Sequence, residues 1–456
     1  MTSPVSTSSS AILDYFRFAQ RIPDFSVKAL KEPNGFFRFG ESVVCYGRTT
    51  GTTRPEVNGD LFDAYADVHV KENAISLPFD LTQVLDNLRY ERYVQGSQPR
   101  WMEKSRVMEM YYRLRPLLPT YFRQKLQRIY LRDWEDIQFP TWPVDRSADI
   151  LIERLLALAM RTLGIDRLPF IWFWPDGHAA CAILTHDVEN LEGRDFCSKL
   201  MDFDDAVGIK SSFEIVPEKR YAVSSAYLDS IRDRGFEINI HGLDHEGNLF
   251  QDRAAFLEAA KKINRYAELF GARGFRSPVL YRNVEWFQDL NFSYDMSIPN
   301  VARLEAQRGG CCTTMPYFLP GGVLELPLTT TEDYTLFHIL KDHSTLLWKQ
   351  QMETIIKGNG LISFIIHPDY ILDSHSQKTY NTLLNELARL RTDRGVWLPL
   401  PGEVDRWWRA RSQMNLVSSG KEWKVSGPGS ERARVAYAQL DGDRLTYEIP
   451  APVSEG

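Results

Sequence analysis

The chain has 456 residues, a formal net charge of −6 and the apolar, aromatic and charged fractions of a globular protein. This length predicts two or three domains, and the mild charge gives no argument for a nucleic-acid partner. No segment is apolar over the ~18 residues that a membrane span needs, and the first ten residues lack the pattern of a secretory signal. Five cysteines without a repeated spacing favour reduced thiols and predict a cytoplasmic location.

Residues 1–145 show no regular alternation of helices and strands, and we predict an N-terminal α+β accessory region there. Residues 36–47 predict a hairpin around Gly40, because alternating aromatic and polar residues meet a turn former at that position. Residues 81–93 predict a short helix, because their aliphatic side chains fall on one helical face.

Residues 100–132 combine Arg and Lys with many aromatic residues, and two interpretations stay open. One is a surface that contacts an anionic partner, such as a lipid-linked phosphate. The other is a pair of solvated helices broken at Pro116 and Pro119, whose aromatic rings dock on the next domain. Charge runs are usually exposed faces, so the second interpretation is favoured.

After a linker at residues 140–145, strand and helix patterns alternate. A helix capped by Asp145 or Ser147 and ended by Gly164 is predicted to open the main domain. Further helices are predicted at 196–207, 225–234 and 249–270. Strands are predicted at 179–185, 211–216, 236–241, 272–277, 292–297, 323–328, 361–367 and 397–400.

This alternation predicts an α/β fold. Strands that alternate with helices at this interval form a parallel sheet, and seven or eight repeats predict a distorted (β/α) barrel. We assign the barrel to residues 146–408. Alternating apolar and polar residues around Gly and Asp turns predict a small C-terminal β segment at 409–456.

Polar side chains fall at the carboxyl ends of the predicted strands. In a parallel barrel these ends share one rim, where catalytic groups collect. The residues concerned are His186, Asp187, His241, Arg276, Asp295 and His367.

The sequence H-G-L-D-H contains a pair of candidate metal ligands, His241 and His245. On a helical turn, or on a loop entering one, this spacing puts both imidazoles on one side, at ~2.0–2.1 Å from one divalent ion. Two imidazoles and one carboxylate leave Zn²⁺ an open position for water; Mn²⁺, Co²⁺ and Ni²⁺ are alternatives.

Asp187 and Glu189 alternate along an extended segment. We expect that they cannot both point at one atom unless the chain bends, so that one is a ligand and the other a proton acceptor.

The order T-H-D-V-E, H-x-x-x-H, F-R-S-P, Y-D-M-S and I-I-H-P resembles the five-motif signature of the polysaccharide deacetylase superfamily, carbohydrate esterase family 4. The resemblance covers about residues 179–370. It implies a distorted barrel and a metal-dependent hydrolase of linear amides, which removes an N-acyl group from an amino sugar or glycan. The roles it implies are base for Asp187, metal ligands for His241 and His245, orientation of the base for Arg276, tuning of the acid for Asp295, and general acid for His367.

The sequence departs from the family pattern at four positions. Val188 replaces a metal-binding Asp, and Glu189 is the candidate third ligand, as in atypical members of the superfamily. Gly242 replaces Ser or Thr after the first histidine, Val279 replaces an aromatic residue after the proline, and His186 replaces an aromatic residue beside the base. A backbone N–H at Val279 remains a candidate donor to an oxyanion.

A rival function is a catalytically silent barrel that binds glycan or scaffolds a polysaccharide-making complex, with Val188 marking a lost metal site.

Taken singly, His367 also fits a core histidine whose hydrogen bonds are satisfied, Arg276 fits a structural ion pair, and Asp295 fits a turn former. We expect structural roles for His178, His338, His343 and His375, inert thiols at Cys311 and Cys312, and a solvated helix face at Asp202, Asp204 and Asp205.

Overall fold

A computed structural model describes residues 7–19, 22–72, 74–94, 127–420, 422–442 and 444–450. Its helices are Thr7–Phe16 (α1), Leu81–Arg89 (α2), Ser147–Leu163 (α3), Leu191–Ala206 (α4), Ser225–Arg232 (α5), Arg253–Phe270 (α6), Leu346–Lys357 (α7), Ser374–Asp393 (α8) and Pro401–Gln413 (α9). Its strands are Asp24–Val27 (β1), Lys31–Arg38 (β2), Val44–Thr49 (β3), His69–Lys71 (β4), Ala74–Leu77 (β5), Arg167–Ile171 (β6), Ala180–Val188 (β7), Ser212–Ile215 (β8), Glu237–His241 (β9), Gly274–Arg276 (β10), Tyr294–Asp295 (β11), Tyr317–Phe318 (β12), Leu324–Glu325 (β13), Leu361–Ile366 (β14), Val396–Trp397 (β15), Asn415–Ser419 (β16), Glu422–Ser426 (β17), Val435–Asp441 (β18) and Arg444–Glu448 (β19).

The chain forms two compact units, each built from segments that are distant in sequence. The first comprises residues 1–93, 146–180 and 403–456, and the second comprises residues 94–145 and 181–402. This division differs from the predicted boundaries at 145 and 408. The reason is long-range strand pairing, because β6 pairs antiparallel with β18 and so joins the segment before β7 to the C-terminal strands. Helix α3, which was predicted to open the barrel, lies in the first unit.

The first unit combines helices with small sheets. The hairpin predicted around Gly40 is confirmed: β2 and β3 pair antiparallel with Arg38 opposite Val44, and Gly40 has a φ of +68° in the turn between them. Helix α2 begins where predicted, because the side chain of Asp80 caps the N–H of Gln83. At the C-terminus, β16 pairs with β17 and β18 with β19, which confirms the predicted β segment.

The second unit is organised around one curled sheet with strand order β12-β13-β11-β10-β9-β8-β7-β14, and β15 pairs with β7. From β13 to β14 every neighbouring pair is parallel, whereas β12 runs antiparallel to β13. This confirms the predicted (β/α) barrel fold. The described residues show no pairing between the two end strands, so the sheet is a half-barrel and not a closed ring.

Strands β7 and β14 are neighbours in the sheet, and every residue of both is buried. Near-continuous apolar runs are typical of parallel strands that are covered on both faces. Strand β7 continues to Val188, three residues beyond its predicted end, so that Asp187 lies in the ladder opposite Glu214. The side chain of Asn190 then caps α4 by accepting a hydrogen bond from the N–H of Gly193.

All five cysteines are buried, and none of them is in a disulfide bond. Within the described ranges, no helix combines the length and apolar character that crossing a membrane requires. Residues 100–126 of the predicted anionic contact lie outside the described residues.

Candidate active site

The carboxyl ends of the parallel strands bring most of the predicted site residues together. Asp187 is the penultimate residue of β7, and His241 and Arg276 end β9 and β10 as direct neighbours in the ladder. Glu189 and His367 follow the ends of β7 and β14. His245 lies in the loop after β9. Asp295 ends β11, one strand further from this group.

Asp187 is a buried carboxylate held by Arg276. The Arg276 Nη1 group donates to Asp187 Oδ1 at 3.0 Å and to Thr185 Oγ1 at 2.8 Å. Burial alone would raise the pKa of Asp187, but the charges of Arg276, His241 and His367 lower it. Asp187 is therefore an ionised hydrogen-bond acceptor with a fixed orientation, at the carboxyl ends of the parallel strands.

Glu189, His241 and His245 form a group whose ligand atoms all lie within 4.8 Å of one another. Glu189 Oε1 is 2.7 Å from His245 Nε2 and 3.7 Å from His241 Nε2. Both Nε2 atoms are buried, and among the described residues neither has a hydrogen-bond partner of adequate geometry. Unsatisfied buried nitrogens that converge on a carboxylate fit a divalent ion with two imidazole ligands.

The second nitrogen of each histidine has a different partner. His241 Nδ1 lies 3.2 Å from the carbonyl oxygen of Arg276, which fits an Nδ1–H donor and leaves Nε2 for a metal. His245 Nδ1 lies 3.3 Å from Arg220 Nη2, which can only donate, so this contact is a hydrogen bond when Nδ1 is unprotonated. A metal bound at His245 Nε2 would place the ring proton on Nδ1, and Arg220 would then no longer donate to that nitrogen.

One expectation about these ligands was wrong. Asp187 Oδ2 lies 3.6 Å from His241 Nε2 and Glu189 Oε1 lies 3.7 Å from it, so both carboxylates do reach one atom. Side chains two residues apart on an extended strand lie on the same face, which is why no bend is needed. Of the two predicted placements of the histidine pair, a helical turn or a loop entering one, the structure has the loop: Gly242 and His245 have φ values of +63° and +57° in the segment between β9 and α6.

His367 is paired with Asp333, a residue that the sequence analysis missed. Asp333 Oδ1 is 2.6 Å from His367 Nδ1, and Asp333 Oδ2 accepts the backbone N–H of His367 at 2.7 Å. His367 Nε2 faces the metal-binding group at 3.5 Å from Glu189 Oε1. Burial alone would lower the pKa of His367, but the Asp333 carboxylate raises it well above the usual value. The E-D pair that follows the strand predicted at 323–328 was the one sequence signal for Asp333.

Asp295, predicted to tune the acid, has other partners. It accepts hydrogen bonds from the backbone N–H and the hydroxyl of Ser297 at 2.9 and 2.8 Å. Its carboxyl group also hydrogen bonds Glu325, its neighbour in the β11–β13 ladder. Burial raises the pKa of both acids, and Asp295 raises that of Glu325 further. The carboxylate on His367 is therefore Asp333 and not Asp295.

A second buried polar group lies behind β7. His186 Nε2 is 3.4 Å from Asp204 Oδ2, which also accepts the hydroxyl of Ser211 at 2.7 Å. The Tyr380 hydroxyl donates to the other oxygen of Asp204. Asp204 is fully buried, so its expected place on a solvated helix face was wrong: its side chain points from α4 into the sheet rather than to water.

Gly242 and the F-R-S-P segment pack closely together. A Cβ atom on Gly242 would lie 2.3 Å from Pro278 Cγ, so a side chain does not fit in this conformation. Val279 follows with a φ of +58°, which is rare for a β-branched residue and marks local strain. The two departures from the family pattern at Gly242 and Val279 thus adjoin the same proline.

No family model matches the chain, and the comparison with curated proteins found no match. Solved structures similar to it include a putative polysaccharide deacetylase from Mycobacterium smegmatis, at 18% identity, covering 55% of this chain and 98% of that chain, with a TM-score of 0.43. Puue allantoinase is similar at 15% identity, covering 52% and 92%, with a TM-score of 0.41. A mutant of a CE4 family pseudoenzyme is similar at 13% identity, covering 50% and 68%, with a TM-score of 0.31. Polysaccharide deacetylases are thus among the solved structures that this chain resembles, at low identity.

Proposed function

We propose that this chain is a metal-dependent amide hydrolase that removes an N-acetyl or other N-acyl group from an amino sugar or glycan. The observation that carries the proposal is the convergence of Glu189, His241 and His245 on one point between two further pairs of groups. On one side is the ionised Asp187 with Arg276, and on the other is His367 with Asp333. The substrate class follows from the sequence resemblance to the polysaccharide deacetylase superfamily.

The base of the proposed reaction is Asp187. Its lowered pKa keeps it ionised and able to accept a proton from a nucleophilic water. Arg276 holds one oxygen of Asp187, which leaves Oδ2 directed toward His241. When bound by Glu189, His241 and His245, a divalent ion would supply a Lewis acid and a water of lowered pKa.

The acid of the proposed reaction is His367. Asp333 orients its ring through Nδ1 and raises its pKa, so Nε2 carries a proton toward the metal-binding group. His367 gives this proton to the amine nitrogen as the C–N bond breaks. The free acid and the free amine are the products.

The position of Glu189 favours the hydrolase over the catalytically silent barrel. A solvent-facing Glu189 would have favoured the silent alternative, because Val188 occupies the usual ligand position. Instead the Glu189 side chain is only 21% exposed and its Oε1 atom lies 2.7 Å from His245 Nε2. The pKa of Glu189 is well below its usual value: burial opposes ionisation, but the charge of His245 and the adjacent imidazoles of His241 and His367 outweigh the burial. Glu189 thus supplies an anionic ligand one residue after the position that the family pattern uses.

Amine release tests this function. The chain is incubated with N-acetylated sugars and other linear amides in the presence of Zn²⁺, Mn²⁺ or Co²⁺, and the free amine is measured. We expect metal-dependent release, reduced ~10²–10⁴-fold by Asp187→Asn or His367→Ala. Asp202→Asn, on an exposed helix position, is the matched control. No release from any of these amides with any of these metals would contradict the proposal.

The metal identity, the cytoplasmic location and the anionic contact through residues 100–132 stay predictions. Zn²⁺ remains the favoured ion, because two imidazoles and one carboxylate with an open position form a common catalytic zinc site.

A further inference from the structure

A cluster of aromatic rings adjoins the proton donor of the proposed site. The Tyr370 ring lies 4.8 Å from the His367 ring between centroids, and the His338 ring lies 4.9 Å from that of Tyr370. Tyr334 is 5.2 Å from His338 and 5.6 Å from Tyr370. Tyr334, His338 and Tyr370 are each half-buried, so the cluster keeps aromatic surface accessible beside a buried His367.

The local backbone is unusual where these rings arise. Thr335–Ile339 is a π-helix, which brings His338 beside the ring of Tyr334. Such helices are rare and occur frequently at functional sites. Tyr370 lies in the short 3₁₀ helix Pro368–Ile371, and its N–H donates to the carbonyl of His367 at 3.0 Å. The chain thus uses two irregular segments to place three rings beside the acid.

Polar groups lie beside the same histidine. Glu305 and Glu332 are half-buried, hydrogen bond each other and interact electrostatically with His367. A hydrogen bond between two carboxyl groups uses one proton, so the remaining oxygens of the pair are acceptors for the hydroxyls of a ligand. Burial raises the pKa of both groups, and this keeps the shared proton in place.

We propose that Tyr334, His338 and Tyr370 form a subsite that binds a sugar ring next to the amide cleaved at His367, with Glu305 and Glu332 hydrogen bonding its hydroxyls. A pyranose combines an apolar C–H face with a rim of hydroxyls, and a cluster of amphipathic rings beside convergent polar groups matches both. This inference rests on the proposed function and deepens it. The site is built for an oligosaccharide rather than for a small acyl amide.

Binding is measured without turnover in the Asp187→Asn background, with the β-1,4-linked tetramer of N-acetylglucosamine as the probe, by isothermal titration calorimetry. We expect His338→Ala and Tyr334→Leu each to weaken binding of the tetramer about tenfold. His375→Ala is the matched control, since His375 is exposed and is in ring contact with His343 and not with this cluster. Thermal unfolding of each variant shows that it is folded.

Kinetics in the otherwise unchanged chain supply the second readout. A binding subsite predicts that KM for the tetramer rises about tenfold in His338→Ala and Tyr334→Leu, while kcat changes about twofold or less. Folded ring variants that bind the tetramer as tightly as the His375→Ala control would overturn the subsite, and so would a lack of tetramer binding in the Asp187→Asn background. Failure of the proposed function looks different: tetramer binding then depends on the rings, but the unchanged chain releases no amine.

Discussion

At the scale of single residues, the site depends on two acid–base partnerships, and only one was predictable. Asp187 and Arg276 lie in recognisable motifs, so their pairing at 3.0 Å followed from the sequence resemblance. The partner of His367 did not follow. Asp295 has the motif position, yet it is bound to Ser297 and Glu325, whereas Asp333 reaches His367 from a segment with no motif of its own.

Replacing Asp333 with Asn tests the second partnership. Asp333 raises the pKa of His367, so the protonated acid persists to higher pH in the unchanged chain. Without this charge the pKa falls, and the alkaline limb of the kcat profile moves to lower pH, with kcat reduced ~10²-fold or more. The pH–rate profile measures both effects. Asp295→Asn is the comparison, and an alkaline limb that moves with Asp295→Asn and not with Asp333→Asn would contradict the assignment.

At the scale of elements, the loop after β9 is shaped by its contact with the F-R-S-P segment. Gly242 needs both a positive φ and the absence of a side chain, because Pro278 occupies the space where a Cβ would lie. The sequence showed Gly242 only as a departure from the family pattern. The contact with Pro278 joins residues far apart in the chain, so no local pattern could predict it.

Gly242→Ala should disturb both stability and metal binding. We expect a loss of ~1–3 kcal/mol in the free energy of unfolding beyond that of Gly271→Ala, together with weaker metal binding by His241 and His245. Gly271 is the matched control, because it has a similar φ of +61° but a Cβ there would meet no atom within 4 Å. Denaturant unfolding of the two variants measures the difference. Equal losses would show that backbone strain alone, and not Pro278, requires the glycine.

The β11–β13 ladder makes a separate prediction about pH. Asp295 and Glu325 are neighbouring buried acids whose pKa values are both raised. A raised pKa in the folded state gives stability that is complete below the unfolded pKa and is lost as pH rises through the folded value. We expect the free energy of unfolding to fall with rising pH in the unchanged chain, and to fall less in Glu325→Gln, whose amide can donate to Asp295. Denaturant titrations from about pH 4, near the unfolded pKa of both acids, to higher pH check this, and parallel pH dependences would contradict it.

At the scale of the whole molecule, the sheet was predictable and the division of the chain was not. Alternating strands and helices with glycine stop signals predicted the parallel sheet, because these patterns are local. The grouping of residues 146–180 with the C-terminal segment depends on the pairing of β6 with β18. The residues that pair in these two strands are more than 250 positions apart in the sequence. Pairing over such a distance has no local signature in the sequence. The domain boundaries were therefore predicted from composition shifts near residues 145 and 408, which do not coincide with the boundaries of the two units.

The central claim is that Glu189 preserves the metal site despite Val188, and metal binding by the purified chain tests it most directly. Metal content and affinity are measured for the unchanged chain, Glu189→Ala and His241→Ala. Glu192→Ala, in the first turn of α4, and His375→Ala, which is exposed, are matched controls. We predict about one equivalent of divalent metal in the unchanged chain and both controls, and a loss of at least about tenfold in affinity in the two site variants. Less than about one equivalent, with no change on replacing Glu189 or His241, would contradict the claim.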